Sequence, residues 1–194
     1  LSEDGGVANV MTGSAEIGQG SDTAMAMIAA ETLGIKLNDV RVYSGDTDYS
    51  VDLGAYSSRQ TLMTGHATKE AAEDVKNQIA SYLAQELNVP VASITFVDGI
   101  VKFDGGPGNF EKLRTNYIKE HRGWTDPPTG EYLTFREAAR MAYLKAGTIV
   151  GTGKYKPPRL GGSYKGAAVG TSPAYGCSAQ IVEVSVDLET GEIT

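Results

Sequence analysis

Two short segments hold the side chains best suited to bind a ligand: Gly18-Gln19-Gly20-Ser21-Asp22-Thr23 and Gly54-Ala55-Tyr56-Ser57-Ser58-Arg59-Gln60. Each is rich in Gly, Ser or Gln, and each runs directly into a helical pattern. A helix start presents unpaired N–H groups and a partial positive charge, so it attracts phosphate and other anions. In the second segment, two hydroxyls and a guanidinium at such a start form an anion cradle with fork geometry. In the first, a carboxamide between two glycines can both donate and accept, which suits the edge of a heterocycle. Asp22 already offsets the dipole of the first helix, so the amides there are expected to meet a neutral part of a ligand, or Asp22 to point aside. Together the segments suit a large phosphorylated cofactor better than a small metabolite.

Two familiar phosphate motifs fail. The triphosphatase loop requires Gly-Lys-Ser/Thr, and no lysine follows Gly20. The dinucleotide fingerprint requires a third glycine where Thr23 stands. The competing reading of Gly18 and Gly20 is a tight strand-to-helix turn with Gln19 exposed; that of Ser58 and Arg59 is a serine cap beside a solvated arginine.

The elements that position these loops follow from periodicity. Val7 to Thr12 reads as a strand. Met25, Ile28, Ala29 and Leu33 mark a helix from Ser21 that ends at Gly34, and Val40 to Tyr43 reads as a second strand. A long helix is predicted from Gln60 to Leu87, with Ala67, Ala71, Val75, Ile79 and Leu83 as its apolar stripe. Ile94 to Phe103 is a hairpin turning at Asp98-Gly99. Thr134, with Glu137 three residues on, signals a capped helix. Strands are predicted over Thr148–Tyr155 and Ser178–Val186, the latter followed by a turn through Asp187–Glu192 into a partner strand. Residues 104–131 lose periodicity and read as a surface excursion with a short helix at Asn109–Lys112. The sum is α+β, with helices on mixed or antiparallel sheets, divided as residues 1–103, an excursion at 104–132 and a closing part at 133–194.

The 194 residues carry a net charge of −7, which disfavours a nucleic-acid surface, and no apolar run has the length of a membrane span. The single cysteine, Cys177, forms no internal disulfide or Cys-Cys metal pair and reads as a buried small side chain. His66 and His121 stand far apart without ligand-like partners, so each is read as structural. Trp124 is a candidate anchor for the excursion, and Lys154, Lys156, Arg159 and Lys165 read as a solvated basic face. A cytoplasmic location is the expectation. The opening Leu1 and the ending within a strand pattern suggest a piece of a longer polypeptide.

Gly13-Ser14-Ala15-Glu16-Ile17-Gly18-Gln19-Gly20, Gly45-Asp46-Thr47-Asp48, Gly54-Ala55-Tyr56-Ser57-Ser58-Arg59, Met63-Thr64-Gly65 and Ala179–Val184 with Asp187–Glu192 resemble the molybdenum hydroxylases of the xanthine dehydrogenase and aldehyde oxidoreductase type. Among them the wording looks nearest to the large subunit of 4-hydroxybenzoyl-CoA reductases. The resemblance implies that Gly18, Gln19 and Gly20 meet the pterin of a molybdenum–molybdopterin cofactor. It also implies that Ser57, Ser58, Arg59 and Gln60 hold its phosphate and, in bacterial members, a cytosine dinucleotide extension. The metal would be held by the cofactor's dithiolene, which removes the need for protein ligands.

The family's Phe-Gly-Gly loop and its Gly-Glu base are absent; Gly130-Glu131 and Gly191-Glu192 occur in the wrong contexts. No catalytic residue is therefore assigned. The implied parent is an oxidoreductase acting on aromatic or heteroaromatic substrates, with [2Fe-2S] and FAD on partner domains or subunits. These residues alone are expected to be inactive and cofactor-free. The alternative is a non-catalytic scaffold that kept the loop shapes.

Overall fold

The computed structural model describes residues 1–52, 54–56, 58–103, 113, 115, 132–157 and 179–194. The chain divides into two compact units, Leu1–Pro158 and Arg159–Thr194. The predicted helix at Asn109–Lys112, His121, Trp124, Arg159, Lys165 and Cys177 lie outside the described residues, as does Ser57.

The first unit opens with strand β1 (Ala8–Met11), helix α1 (Ser21–Leu33) and strand β2 (Val40–Tyr43). β1 and β2 are parallel, with Ala8 opposite Val40 and Met11 opposite Tyr43, so α1 is the crossover that parallel strands require. Met25, Ala29, Ala30 and Leu33 are buried along α1. Its end follows the glycine signal: Gly34 is left-handed at φ 74°, and its N–H and that of Ile35 return to the Ala30 carbonyl.

Helix α2 (Gly65–Leu87) is preceded by a wider π-helical turn over Gln60–Thr64. Its buried face runs through Thr68, Ala72, Val75, Ile79 and Leu83, not through the predicted row beginning at Ala67 and Ala71. A row of every fourth residue drifts about 40° per step on a helix of 3.6 residues per turn, so it cannot stay on one face for four steps. The predicted stripe is right from Val75 onward and is displaced by one position before it. Across the helix–helix contact, Thr68 Oγ1 donates to Met25 Sδ (3.3 Å), and Lys76 Nζ donates to the Thr32 carbonyl near the end of α1 (2.7 Å).

Strands β3 (Ile94–Val97), β4 (Ile100–Phe103) and β5 (Leu133–Thr134) form an antiparallel sheet in the order β3-β4-β5. Asp98 and Gly99 have φ of 53° and 74°, as a two-residue hairpin turn demands. Helix α3 (Phe135–Ala146) starts at a complete capping box: Glu137 N–H donates to Thr134 Oγ1 (3.2 Å) and Thr134 N–H to Glu137 Oε2 (2.6 Å). Ile79, Leu83, Val101, Leu133, Ala138 and Met141 are among the fully buried core side chains of this half. The α+β prediction holds, with one parallel and one antiparallel sheet among the described residues.

Residues 148–155, predicted as a strand, are extended but join no sheet; they lie along α2. Gln78 Nε2 donates to the Val150 carbonyl (2.9 Å), Thr152 N–H to Asp74 Oδ2 (3.2 Å), Lys154 N–H to Glu70 Oε2 (2.7 Å), and His66 stacks on Tyr155 at 4.5 Å. Four residues of helix rise about 6 Å and two residues of extended chain span about 6.6 Å, so side chains at every fourth helical position can serve alternate residues of the strip. The strip also covers Ala67 and Ala71: a methyl on Gly153 or Gly151 would run into their carbonyl oxygens.

In the second unit the turn predicted through Asp187–Glu192 is present and closes an antiparallel pairing: Val186 bridges Ile193, Ser185 and Thr194 exchange backbone bonds (2.9 and 3.0 Å), and Asp187 N–H donates to the Glu192 carbonyl (2.9 Å). Within the turn the Asp187 carboxylate accepts from Glu189 and Thr190 N–H (2.8 and 2.9 Å), bonds that hold it below the usual carboxylate range.

Candidate functional site

Both loops grow from the parallel strands. As β1 ends, Thr12 N–H donates to the Tyr43 carbonyl (2.9 Å), and Gly45 N–H donates to the Ser14 carbonyl (2.7 Å). Gly13 N–H donates to Ser50 Oγ (2.7 Å), and a side chain at Gly13 would collide with the Ser50 carbonyl. Glycine is thus required where the first loop crosses the segment leading to the second.

At the tip, Glu16 turns back over the start of α1. Its Oε1 accepts from Gly18 N–H (2.7 Å) and Gly20 N–H (3.0 Å), and its Oε2 from Asp22 N–H and Ser21 Oγ (both 3.1 Å). These bonds, led by those from Asp22 and Gly20, hold the carboxyl at about 2. The anion at this helix start is therefore the protein's own. Asp22 points aside, its Oδ2 accepting from Ser44 Oγ at 2.9 Å.

The Gln19 carboxamide folds onto its own loop. Oε1 accepts from Ile17 N–H (2.7 Å), while Nε2 donates to the Ala15 carbonyl (3.1 Å) and Ser21 Oγ (3.0 Å). A backbone donor on one side and a backbone acceptor on the other fix which atom is oxygen and which nitrogen. Gly18 and Gly20, at φ 99° and 77°, have open space where a side chain would begin.

Gln60 is placed differently. It is only 5% exposed. Its Nε2 donates to the Ala15 carbonyl (3.3 Å) and to Asp52 Oδ2 (3.2 Å), and its Oε1 accepts from Thr64 Oγ1 (3.1 Å). The Ala15 carbonyl is therefore the point where the two loops meet. Ser58 is exposed and left-handed at φ 54°, and the Arg59 guanidinium lies 5.1 Å from the centre of the Tyr56 ring. Ile17, Val51 and Tyr56 are 72%, 85% and 63% exposed, so apolar surface surrounds the polar loop tips.

A cavity of about 440 Å³ lies between β1, α1, α2 and the extended strip, with Val10, Leu33 and Val75 in its walls. Gln19, Ser58, Arg59 and Gln60 do not line it, so the candidate site is the exposed loop surface. Among the described residues no three His, Cys, Asp or Glu side chains are grouped to hold a metal ion.

Sequence reasoning missed Glu16 as a cap, because it reaches the helix from upstream and matches no capping-box spacing. It also missed Asp52 and the Ala15 carbonyl, since a backbone acceptor leaves no trace in residue identity.

Residues 1–194 match the family described as the molybdopterin cofactor-binding domain. The chain belongs to that family. It is 34% identical, over 98% of its length, to the Escherichia coli (strain K12) protein named "Probable hypoxanthine oxidase XdhD", of which it covers 16%. It is 28% identical over its whole length to the xanthine dehydrogenase molybdenum-binding subunit of Escherichia coli O157:H7, covering 22% of that protein. The chain thus spans 16% to 22% of the length of these relatives. Quinoline 2-oxidoreductase from Pseudomonas putida 86 superposes with a TM-score of 0.60 at 25% identity, over 79% of this chain and 18% of that one. CO dehydrogenase from Oligotropha carboxidovorans superposes with a TM-score of 0.56 at 25% identity, over 75% of this chain and 16% of that one. The fold and family expected from the loops are thereby established. Among the described residues no helix is long and apolar enough to cross a membrane.

Proposed function

We propose that this molybdopterin-binding domain contributes two loops of the cofactor surface of an oxidoreductase acting on an aromatic or heteroaromatic small molecule. The observation that carries this reading is the junction at Ala15. Two loops distant in sequence are joined there, with Gly18, Gln19, Ser58 and Arg59 toward the outside. The donor set fits the group: open glycine backbone and a carboxamide for a pterin edge, a hydroxyl and a guanidinium for phosphate.

On this reading Gly18, Gln19 and Gly20 bind and orient the pterin, while Ser57, Ser58 and Arg59, with Gln60 behind them, receive the phosphate and a cytosine dinucleotide extension. When bound, the group supplies redox chemistry at a metal held through its own sulfur atoms. Glu16 keeps the α1 start from competing for the phosphate, so the anionic end of the ligand is directed to the second loop. Iron–sulfur and flavin domains or subunits would receive the electrons.

Relatives named for hypoxanthine and xanthine, and a structural neighbour named for quinoline, favour oxidation of a nitrogen heterocycle over reduction of a 4-hydroxybenzoyl-CoA type thioester. One observation favours a scaffold that binds no cofactor: the Gln19 carboxamide is already bonded within its loop. Elemental analysis of the full-length protein from a host that makes molybdopterin separates the two. Near-stoichiometric molybdenum with pterin supports the enzyme; neither metal nor pterin supports the scaffold.

A further inference from the structure

We infer that Gln60 is a positioning residue that sets the two ligand loops at their working separation without touching the ligand. The inference rests on the cofactor-binding reading above and assigns Gln60 a role distinct from that of Ser58 and Arg59.

Gln60 is the first residue of the π-helical turn and is buried, whereas Ser58 is exposed and Arg59 half-buried. A carboxamide has two N–H donors, and both are used: one on the Ala15 carbonyl in the first loop, the other on Asp52 just before the second. Thr64, one helical turn on, donates to its oxygen and locks the amide orientation. No donor is left for a ligand.

The bond to Ala15 crosses between loops, and its acceptor is shared with Gln19. Displacing Gln60 therefore frees the carbonyl that anchors the residue proposed to meet the pterin. Simple packing does not require this arrangement, because an apolar side chain of similar length would fill the volume while removing the bonds that Gln60 gives to Asp52 and to Ala15, the latter its link to the first loop.

Two variants of the full-length, cofactor-loaded protein separate positioning from stability. Gln60→Glu keeps the shape but places a carboxylate beside Asp52 and offers no donor to Ala15. Adding Asp52→Asn restores a donor–acceptor pair between positions 52 and 60 with reversed polarity, and still leaves the inter-loop bond from position 60 to Ala15 unmade. Thermal midpoint, molybdenum content and the rate of molybdenum loss on dilution are measured for both variants and the wild type.

The single variant is expected to melt lower and to lose molybdenum about 10-fold faster, consistent with loss of about one hydrogen bond at a buried site. The double variant is expected to regain most of the melting temperature while losing molybdenum as fast as the single one. If retention follows the melting temperature in both variants, or if Gln60→Glu retains molybdenum like the wild type, the inference is overturned. A wild type without molybdenum overturns the underlying cofactor reading itself.

Discussion

The side-chain amides of Gln19 and Gln60 donate to one and the same acceptor, the carbonyl of Ala15. One amide is at the surface and the other is buried. This pairing makes a single backbone carbonyl the hinge between a loop leaving β1 and a loop entering α2. It also explains how two segments with few apolar side chains, Ile17 and Tyr56 being exposed, hold a fixed relation to each other.

Gln19→Ala removes three hydrogen bonds at an exposed position without touching the core. The variant is predicted to keep a melting temperature close to that of the wild type while molybdenum content in the full-length protein falls. Parallel elemental analysis and thermal unfolding check this; unaltered molybdenum content contradicts the assignment.

Arg59→Ala removes the guanidinium beside Tyr56. A charge-assisted hydrogen bond to a buried phosphate contributes about 1.5–3 kcal/mol. Its loss is predicted to speed cofactor release by about one to two orders of magnitude. The dissociation rate after dilution reads this directly.

The Glu16 carboxyl is depressed to about 2 in the fold by the amides of Asp22, Gly20 and Gly18. Because its folded value lies below its unfolded value, the stabilisation is full above about pH 4.5 and is lost as pH falls toward 2. Amide exchange at Gly18, Gly20 and Asp22 is predicted to accelerate over that window beyond the intrinsic trend. In Glu16→Gln the acceleration is predicted to be absent, with exchange already fast at neutral pH.

Gly151 and Gly153 let the extended strip lie against the α2 backbone, where a methyl would meet the carbonyls of Ala71 and Ala67. Replacing either by Ala is predicted to cost about 1–3 kcal/mol, the range for overpacking a close contact. Denaturant midpoints test this, with Thr134→Ala as the comparison, where loss of the cap hydroxyl costs about 1 kcal/mol.

Much of this was legible because the relevant signals are local. Gly34, Asp98-Gly99 and the Thr134–Glu137 pair each dictate a backbone turn through residues within a few positions, and each appears where expected. The strand–helix–strand order of the first unit followed from a helical period between two short strand runs, whereas their parallel pairing shows only in the fold. The strip at 148–155 misled because its alternation is satisfied by helix side chains of α2, a partner that residue pattern cannot name. At the site, residue types gave the loops, but the Glu16 cap and the Ala15 junction depend on backbone atoms brought together only by folding.

The most direct test of the central claim is the position of Gln19 and Arg59 in a structure of the full-length protein with molybdopterin bound. The account predicts the Gln19 carboxamide within hydrogen-bond distance of the pterin, and the Arg59 guanidinium within that distance of a phosphate oxygen, with the start of α1 still closed by Glu16. Arg59 in solvent away from every phosphate, together with Gln19 still closed on Ala15 and remote from the cofactor, would contradict it.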